Sequence, residues 1–305
     1  MEKEVLVIGG NGLLGTAFRK VVGEKYTYSV RRFGDAKFSS DIVIEDTSKL
    51  TFDMDGEILG SFDVIVNCAA MTDVNSIENN YDVAESAWAA NVTGVKKLSE
   101  ICKKNGTTLI HISTDYVFDG TIGREYFPTD SVNPINKYGQ QKAAAEHVIM
   151  NSGCKYIIIR TSWIYSPYTP NFITNMLDKA LDGETTMSVT NNIISSPTSA
   201  VELAKAIQSI IDRDLLNYIG VYHFTDSGCC TRYDMVEYIY NLVGNGTNHP
   251  RPLPDSVWKS NVRRPFCSVM SKESFSKTFD IVPRSWMLSL KKCVDEYRNL
   301  KSTNS

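Results

Sequence analysis

"EVLVIGGNGLLG", residues 4–15, decides how the first half of this chain is read. An apolar run ends in a turn with Gly9, Gly12 and Gly15 at three-residue spacing, and a helical pattern follows from about Leu13 to Val22. Glycines so placed allow a tight turn, close approach of backbone to a pyrophosphate, and close packing of helix on strand. The free N–H groups and positive dipole end of the helix then face the phosphates. The expected nucleotide contacts are Gly9, Asn11, Gly12, Leu13, Leu14 and Gly15. A glycine triplet alone is weak evidence and a structural turn is the bland alternative; the strand–turn–helix setting is what gives it weight.

Outward from this turn the alternation continues. Strands are expected at 27–32, 42–46, 62–70, 108–114 and 155–165, with a long helix from about Tyr81 to Lys104 that stops at Gly106. A further helix carries "NKYGQQKAAAE", residues 136–146. Strict βα alternation with near-continuous apolar strands predicts a doubly wound, Rossmann-like parallel sheet, an α/β fold. Beyond about Thr161 the rhythm loosens into "YSPYTPNF" and "NNIISSPTS". Helices are expected near 171–182, 198–212, 231–243 and 284–298, with one strand at 220–226. Residues 1–160 read as a dinucleotide-binding domain, to which segments near 192–226 return. Residues 161–305 read mainly as a smaller, partly interleaved substrate-binding region.

The 305 residues, 42% hydrophobic with net charge −3, give a sizeable core and no sign of a nucleic-acid or membrane partner. No apolar run approaches the roughly 18 residues of a membrane span. The start runs directly into "EVLVIGG", without a charged leader. Seven cysteines without C-x-x-C spacing argue against a disulfide framework or zinc site, and the expected location is cytoplasmic.

In such sheets, ligands bind at the carboxyl ends of the strands. The second strand ends in Arg31 and Arg32, with no acid before Asp35. That favours NADP(H), because arginine accommodates a 2′-phosphate where an acid would accept from a 2′-hydroxyl; NADH stays open, as does a surface role for both arginines. Asp46 and Thr47 fall at the adenine side, where a plain turn is the alternative. "NCAAMT" (67–72) puts Cys68, Ala69, Ala70 and Thr72 beside the cofactor. "ISTDYVFDG" (112–120) brings Ser113, Thr114, Asp115 and Tyr116 to the same edge.

Tyr138 and Lys142 share a helix face at i and i+4. Carbonyl reduction needs a proton donor, and a tyrosine with an ordinary pKa of about 10 gives up its proton reluctantly unless a cation helps. Lys142 would be that cation, and the Thr114 hydroxyl would orient the carbonyl. The alternatives for Lys142 are a solvated surface lysine or a salt bridge to Glu146. Tyr297 and Lys301 repeat the spacing without a strand-end hydroxyl before them; about one such match is expected by chance.

"VIGGNGLLG", "VIVNCAAMT", "HISTDYVFDG", "NPINKYGQQKAAAE" and "IIRTSWIY" resemble the extended short-chain dehydrogenase/reductases, and within them the dTDP-4-dehydrorhamnose reductase family. The similarity continues through "NFITNML", "SSPTSAVELA", "GVYHFTDSG", "RRPFCSVMSKESF" and "RSWMLSLKKCV", nearly the whole chain. The resemblance implies reduction of the C4 ketone of a dTDP-linked 6-deoxyhexulose with NADPH. It implies Tyr138 as proton donor, and Lys142 as holder of the nicotinamide ribose and depressor of the Tyr138 pKa. Thr114 would polarise the ketone, and Asn91 would support the proton relay. Asp115, Trp163, Asn171 and Arg264 would contact the substrate. No metal is expected, and a homodimer is left open.

Two segments depart from the family pattern. The usual "DQ-x-G-x-P-T" is "NNIISSPT" and the usual "VDKAE" is "VNSIE" (74–78), which leaves the sugar and its nucleotide open. Two other functions compete. A related superfamily enzyme acting on another nucleotide sugar is one; Asp115-Tyr116 after Thr114, rather than an acidic pair, argues against a dehydratase. A non-catalytic NADP-binding regulatory subunit, resembling methionine adenosyltransferase subunit β, is the other. Trp163 in "RTSW" favours the enzyme.

Overall fold

The computed structural model describes residues 2–184, 187–244, 251–253 and 260–303. Its first half runs β1 (Val5–Ile8), α1 (Leu13–Val22), β2 (Thr27–Val30), β3 (Ile42–Val43), α2 (Met54–Gly60), β4 (Val64–Asn67) and α3 (Val74–Asn79). Next come α4 (Tyr81–Trp88), a π turn (Ala89–Thr93), α5 (Gly94–Asn105), β5 (Thr108–Thr114), α6 (Lys137–Ser152) and β6 (Lys155–Thr161). The second half begins with β7 (Ile164–Tyr165), α7 (Phe172–Leu181), β8 (Ser188–Thr190), β9 (Ile194–Ser195), β10 (Thr198–Ser199) and α8 (Ala200–Asp212). It closes with β11 (Gly220–His223), β12 (Cys230–Thr231), α9 (Arg232–Val243), β13 (Arg251–Leu253), α10 (Glu273–Phe279) and α11 (Trp286–Thr303).

Seven strands form one parallel sheet in the order β11-β6-β5-β4-β1-β2-β3. Side chains alternate between its faces, so each strand feeds two cores. Val5, Val7, Val64, Val66, Ile157 and Ile159 pack with α1 and α8 on one face. Leu6, Ile8, Ile65, Leu109 and Ile158 pack with α5 and α6 on the other. Both α8 and β11 come from the second half, so the later chain completes the sheet begun by the first. A separate core under α7, α9 and α11 is built from Leu177, Val236, Ile239, Leu290 and Val294.

The strand order reverses between β1 and β4, where a crevice opens at the carboxyl ends. The glycine turn sits there. Gly9 lies against Cys68 and Ala69 at the end of β4, and a Cβ on Gly15 would collide with the Gly9 carbonyl oxygen. Arg19 braces the turn from below: its Nε donates to the Gly10 carbonyl at 3.0 Å, and its guanidinium pairs with Asp41 and stacks on Tyr28.

Three expectations differ from the structure. The strand expected to run unbroken over 155–165 stops at Thr161, because Ser162 turns inward to bond Asp115 and Trp163 takes a left-handed backbone (φ 43°). The long helix contains the π turn at 89–93, a local widening that periodicity does not reveal and that is frequent at functional sites. Helices α2, α3 and α10 span seven, six and seven residues, too short for an amphipathic pattern to declare them.

Gly15→Ala is expected to destabilise the protein by about 1–3 kcal/mol, the usual cost of forcing a methyl into close-packed backbone, and to weaken NADPH binding. Thermal denaturation and NADPH titration measure the two effects; an unchanged melting temperature would show that the turn has room.

Candidate active site

Helix α6 is seated by four contacts. The Asn136 side chain caps it by accepting from Gly139 N at 2.8 Å. Gly139 packs so closely on the Tyr116 carbonyl that no Cβ would fit. Gln141 accepts from Asn91 Nδ2 at 2.9 Å and donates to the Ala84 carbonyl at 3.1 Å. Lower down, Glu146 forms a two-point ion pair with Arg160, both buried. Thus Glu146 serves Arg160 and Ser113, not Lys142, which corrects the salt bridge considered from the sequence. The β5–β6 register sets Ser113 opposite Arg160 and so brings both to one carboxylate.

This seating places Tyr138 half-buried, its ring edge-on to Tyr116 with centroids 6.0 Å apart. Lys142 points into the protein, donating to the Ile112 carbonyl at 2.7 Å and to His111 Nε2 at 3.0 Å. The Asn67 amide closes the Nδ1 side of His111 at 3.2 Å. Burial and the Lys142 charge hold His111 neutral, well below its ordinary pKa. Burial lowers Lys142 to about 8, against the opposing pull of Glu146 and Cys68.

Tyr138 moves the other way from expectation. Desolvation, joined by the Asp115 charge, pushes its pKa up; the Thr114 hydroxyl opposes them. Lys142 has no part in that balance, since its ammonium is turned to the strand below.

Thr114 ends β5 with its hydroxyl donating to Asp115 Oδ1 at 3.1 Å while its oxygen accepts from Tyr116 N at 3.2 Å. Asp115 is only 2% exposed. Its Oδ2 accepts from the hydroxyls of Ser162, Ser195 and Ser268, which arrive from the turn after β6, from β9 and from the 260–271 segment. The sugar contact that the resemblance implies for Asp115 is therefore corrected to an internal one: a desolvated carboxylate is stable only when its lone pairs are filled. Asn171, partly exposed, caps α7, accepting from Ile173 N and donating to the Ser166 and Thr169 carbonyls.

Asn91 lies in the π turn. It accepts from Met71 N at 2.8 Å and donates to the Met71 carbonyl at 2.9 Å, clamping the loop after β4 to α6. That loop carries Cys68, Ala69 and Ala70, partly exposed, and Thr72, exposed. At the far end, Asn11 donates to the Asp35 carbonyl at 2.7 Å, and Arg31 and Arg32 stand exposed. Asp46 caps the next turn at Ser48, and its carboxyl is held below the ordinary value chiefly by Ser48, with a smaller part from Arg31. The Thr47 hydroxyl lies at Gly94, the start of α5. Helix α1 has no side-chain cap and no acid in its first turn, so its first N–H donors and dipole stand ready for an anion. A dinucleotide's pyrophosphate fits that cradle.

Sequence reasoning missed Arg19, Gln141, His111 and the serines around Asp115. None follows a spacing rule; each acts on a residue distant in sequence. Only the polarity of "HIST" inside an apolar strand was a hint of His111.

A doubly wound sheet with a glycine turn at its switch point, and a Tyr and Lys on the next helix beside a strand-end Thr, defines an extended short-chain dehydrogenase/reductase. The comparisons with known proteins narrow this. The family model described as "RmlD substrate binding domain" matches residues 3–299. The dTDP-4-dehydrorhamnose reductase of Aggregatibacter actinomycetemcomitans is 31% identical over 298 residues, covering 94% of this chain and 97% of the relative. That of Escherichia coli K12 is 32% identical over 242 residues, 77% of this chain and 79% of the relative. The crystal structure of dTDP-4-dehydrorhamnose reductase from Bacillus anthracis in complex with NADP superposes with a TM-score of 0.83 at 25% identity, covering 97% of this chain and 100% of that one. The chain belongs to the RmlD family.

Because Tyr138 is pushed up and Lys142 down, Lys142 is the first of the two to lose its proton as pH rises, near 8. Catalytic efficiency is expected to fall above about pH 8 in wild type, and Lys142→Arg, which keeps its charge, is expected to move that limb to higher pH. A pH profile of kcat/KM for both proteins checks this; a limb unmoved by the substitution would belong to another group.

Proposed function

We propose that this chain reduces the C4 ketone of dTDP-4-dehydrorhamnose, giving dTDP-L-rhamnose, with NADPH as reductant. The observation that carries the reading is the approach of Tyr138 to the Thr114 hydroxyl at the end of β5, two strands along the sheet from the glycine turn, in a chain of this family. Residues 1–160, with segments near 192–226 returning, would hold the dinucleotide, and the remaining residues would form most of the substrate cleft.

The uncapped start of α1 and the backbone of Gly9–Gly15 would receive the pyrophosphate, and Arg31 and Arg32 the 2′-phosphate. A bound nicotinamide would supply the hydride for C4. Tyr138 gives its proton to the carbonyl oxygen, so that ketone plus hydride plus proton becomes alcohol, and solvent returns the proton to the phenolate. Thr114 exchanges its bond to Asp115 for one to the same oxygen. Lys142, anchored on His111 and Ile112, would hold the nicotinamide ribose hydroxyls. The raised pKa of Tyr138 keeps the donor protonated until charge develops on the substrate. Trp163, in its left-handed backbone, presents its ring to the sugar.

Stopped assays of NADPH oxidation with dTDP-4-dehydrorhamnose test this directly. Tyr138→Phe is expected to lower kcat by on the order of 10² to 10⁴, the usual contribution of a general acid. Full activity in that variant would remove Tyr138 as donor, and NADPH binding without turnover in wild type would sink the reductase reading. Replacing Arg31 and Arg32 together by Ala is expected to raise KM for NADPH about 10- to 100-fold, as for loss of a charged hydrogen bond, with little change for NADH; equal effects on both would place the arginines away from the 2′-phosphate.

A further inference from the structure

Arg232, at the start of α9, is partly buried, and its guanidinium carbon lies over two aromatic rings, 4.9 Å from the centroid of Trp163 and 4.6 Å from that of Phe172. The chain's other inward-facing arginines are matched to carboxylates: Arg19 to Asp41 and Arg160 to Glu146. Among the described residues the Arg232 guanidinium makes no hydrogen bond and no ion pair; it lies over the two rings. A guanidinium carries five N–H donors and keeps its charge in proteins. Stacking on aromatic faces supports the cation but leaves those donors unfilled.

The surroundings are positive. Arg264 is close enough that the two guanidiniums repel, and both act on Tyr116 and through it border Tyr138. Arg264 itself is held by neutral acceptors: Ser260 Oγ at 2.9 Å, the Val262 carbonyl at 3.3 Å and Asn75 Oδ1 at 2.8 Å. Asn75 is the amide of "VNSIE", where the family pattern has an acid. Asp115, the one carboxylate acting on Arg232, is enclosed by its own hydroxyls and makes no bond to it. Two cations thus share one edge of the catalytic cleft with no acid bonded to either among the described residues.

We infer that Arg232 and Arg264 form the clamp for the substrate's diphosphate, with Arg232 fixed by Trp163 and Phe172 so that the same ring that meets the sugar also sets the diphosphate one step away. The planar fork of arginine suits a phosphate oxygen pair, and a dianionic bridge relieves the repulsion between the two guanidiniums. The inference deepens the reductase reading: it rests on the substrate being a nucleoside-diphosphate sugar. It also gives a use to the loss of the acid at position 75, since a neutral Asn75 orients Arg264 without cancelling its charge.

Calorimetric titration with dTDP, thymidine and NADPH separates the possibilities. Arg232→Met, which keeps the bulk against the rings, is expected to weaken dTDP binding about 10- to 100-fold, as for one lost charge-assisted contact, and to flatten its salt dependence, while thymidine and NADPH bind as in wild type. Arg232→Lys is expected to fall between the two. KM for dTDP-4-dehydrorhamnose should rise in parallel. The clamp is overturned if Arg232→Met binds dTDP within twofold of wild type, if thymidine weakens equally, which marks a packing role, or if wild type binds dTDP no better than thymidine. Wild type that binds dTDP in an Arg232-dependent manner but does not reduce the ketone supports the clamp and removes the reductase reading; reduction with dTDP binding indifferent to Arg232 does the reverse.

Discussion

Glu146 and Arg160 meet beneath the site, where neither reaches water, and the position of α6 depends on them. Arg160 belongs to β6 and also lies over the Phe118 ring and donates to the Pro128 carbonyl. Glu146 belongs to α6 and takes the Ser113 hydroxyl of β5 as well. One carboxylate therefore joins two adjacent strands to the helix that carries Tyr138 and Lys142, two turns and one turn above it. Such a pair adds little net stability over apolar packing, but removing one partner leaves an uncompensated buried charge, at about 3–5 kcal/mol. Its value lies in register: a helix that slid along the sheet would break it.

A second buried carboxylate does the same between the two halves. Asp115 gathers Ser162, Ser195 and Ser268, so the end of β5, the turn before Trp163, and two distant segments close on a single point. Ser195 falls in "NNIISSPT", at the glycine of the family pattern, so this departure supplies the node with a hydroxyl. Trp163 is held in its left-handed conformation, a strain of order 1–3 kcal/mol for a non-glycine residue, by this node on one side and the bond from Thr198 N to its carbonyl on the other. The cleft is thus shaped by polar groups that never face it.

Lys142 illustrates how function and fold divide one side chain. Its ammonium is buried on the Ile112 carbonyl and a neutral histidine, which lowers its pKa and leaves it less stably charged than a surface lysine. Tyr138 gains nothing from it in this arrangement and is instead raised by burial. Proton transfer then waits on charge that develops on the substrate, which suits a donor that must not ionise beforehand.

The succession of strands along the first half, the glycine turn and the Tyr138–Lys142 face were legible in the sequence because each is a local pattern: apolar runs of strand length, glycines where backbones must touch, and i, i+4 spacing on a helix. Arg31, Arg32 and Thr114 were legible as strand ends for the same reason. The true partner of Glu146, the enclosure of Asp115, the π turn that aims Asn91, and the two rings against Arg232 were not. Each joins residues between 14 and 153 positions apart, or for Arg232 nearly 70 from Trp163, and no periodicity encodes such a pairing. Desolvation decides them: a charge buried by the fold takes whichever partner the packed elements deliver, and that choice exists only once the elements have met.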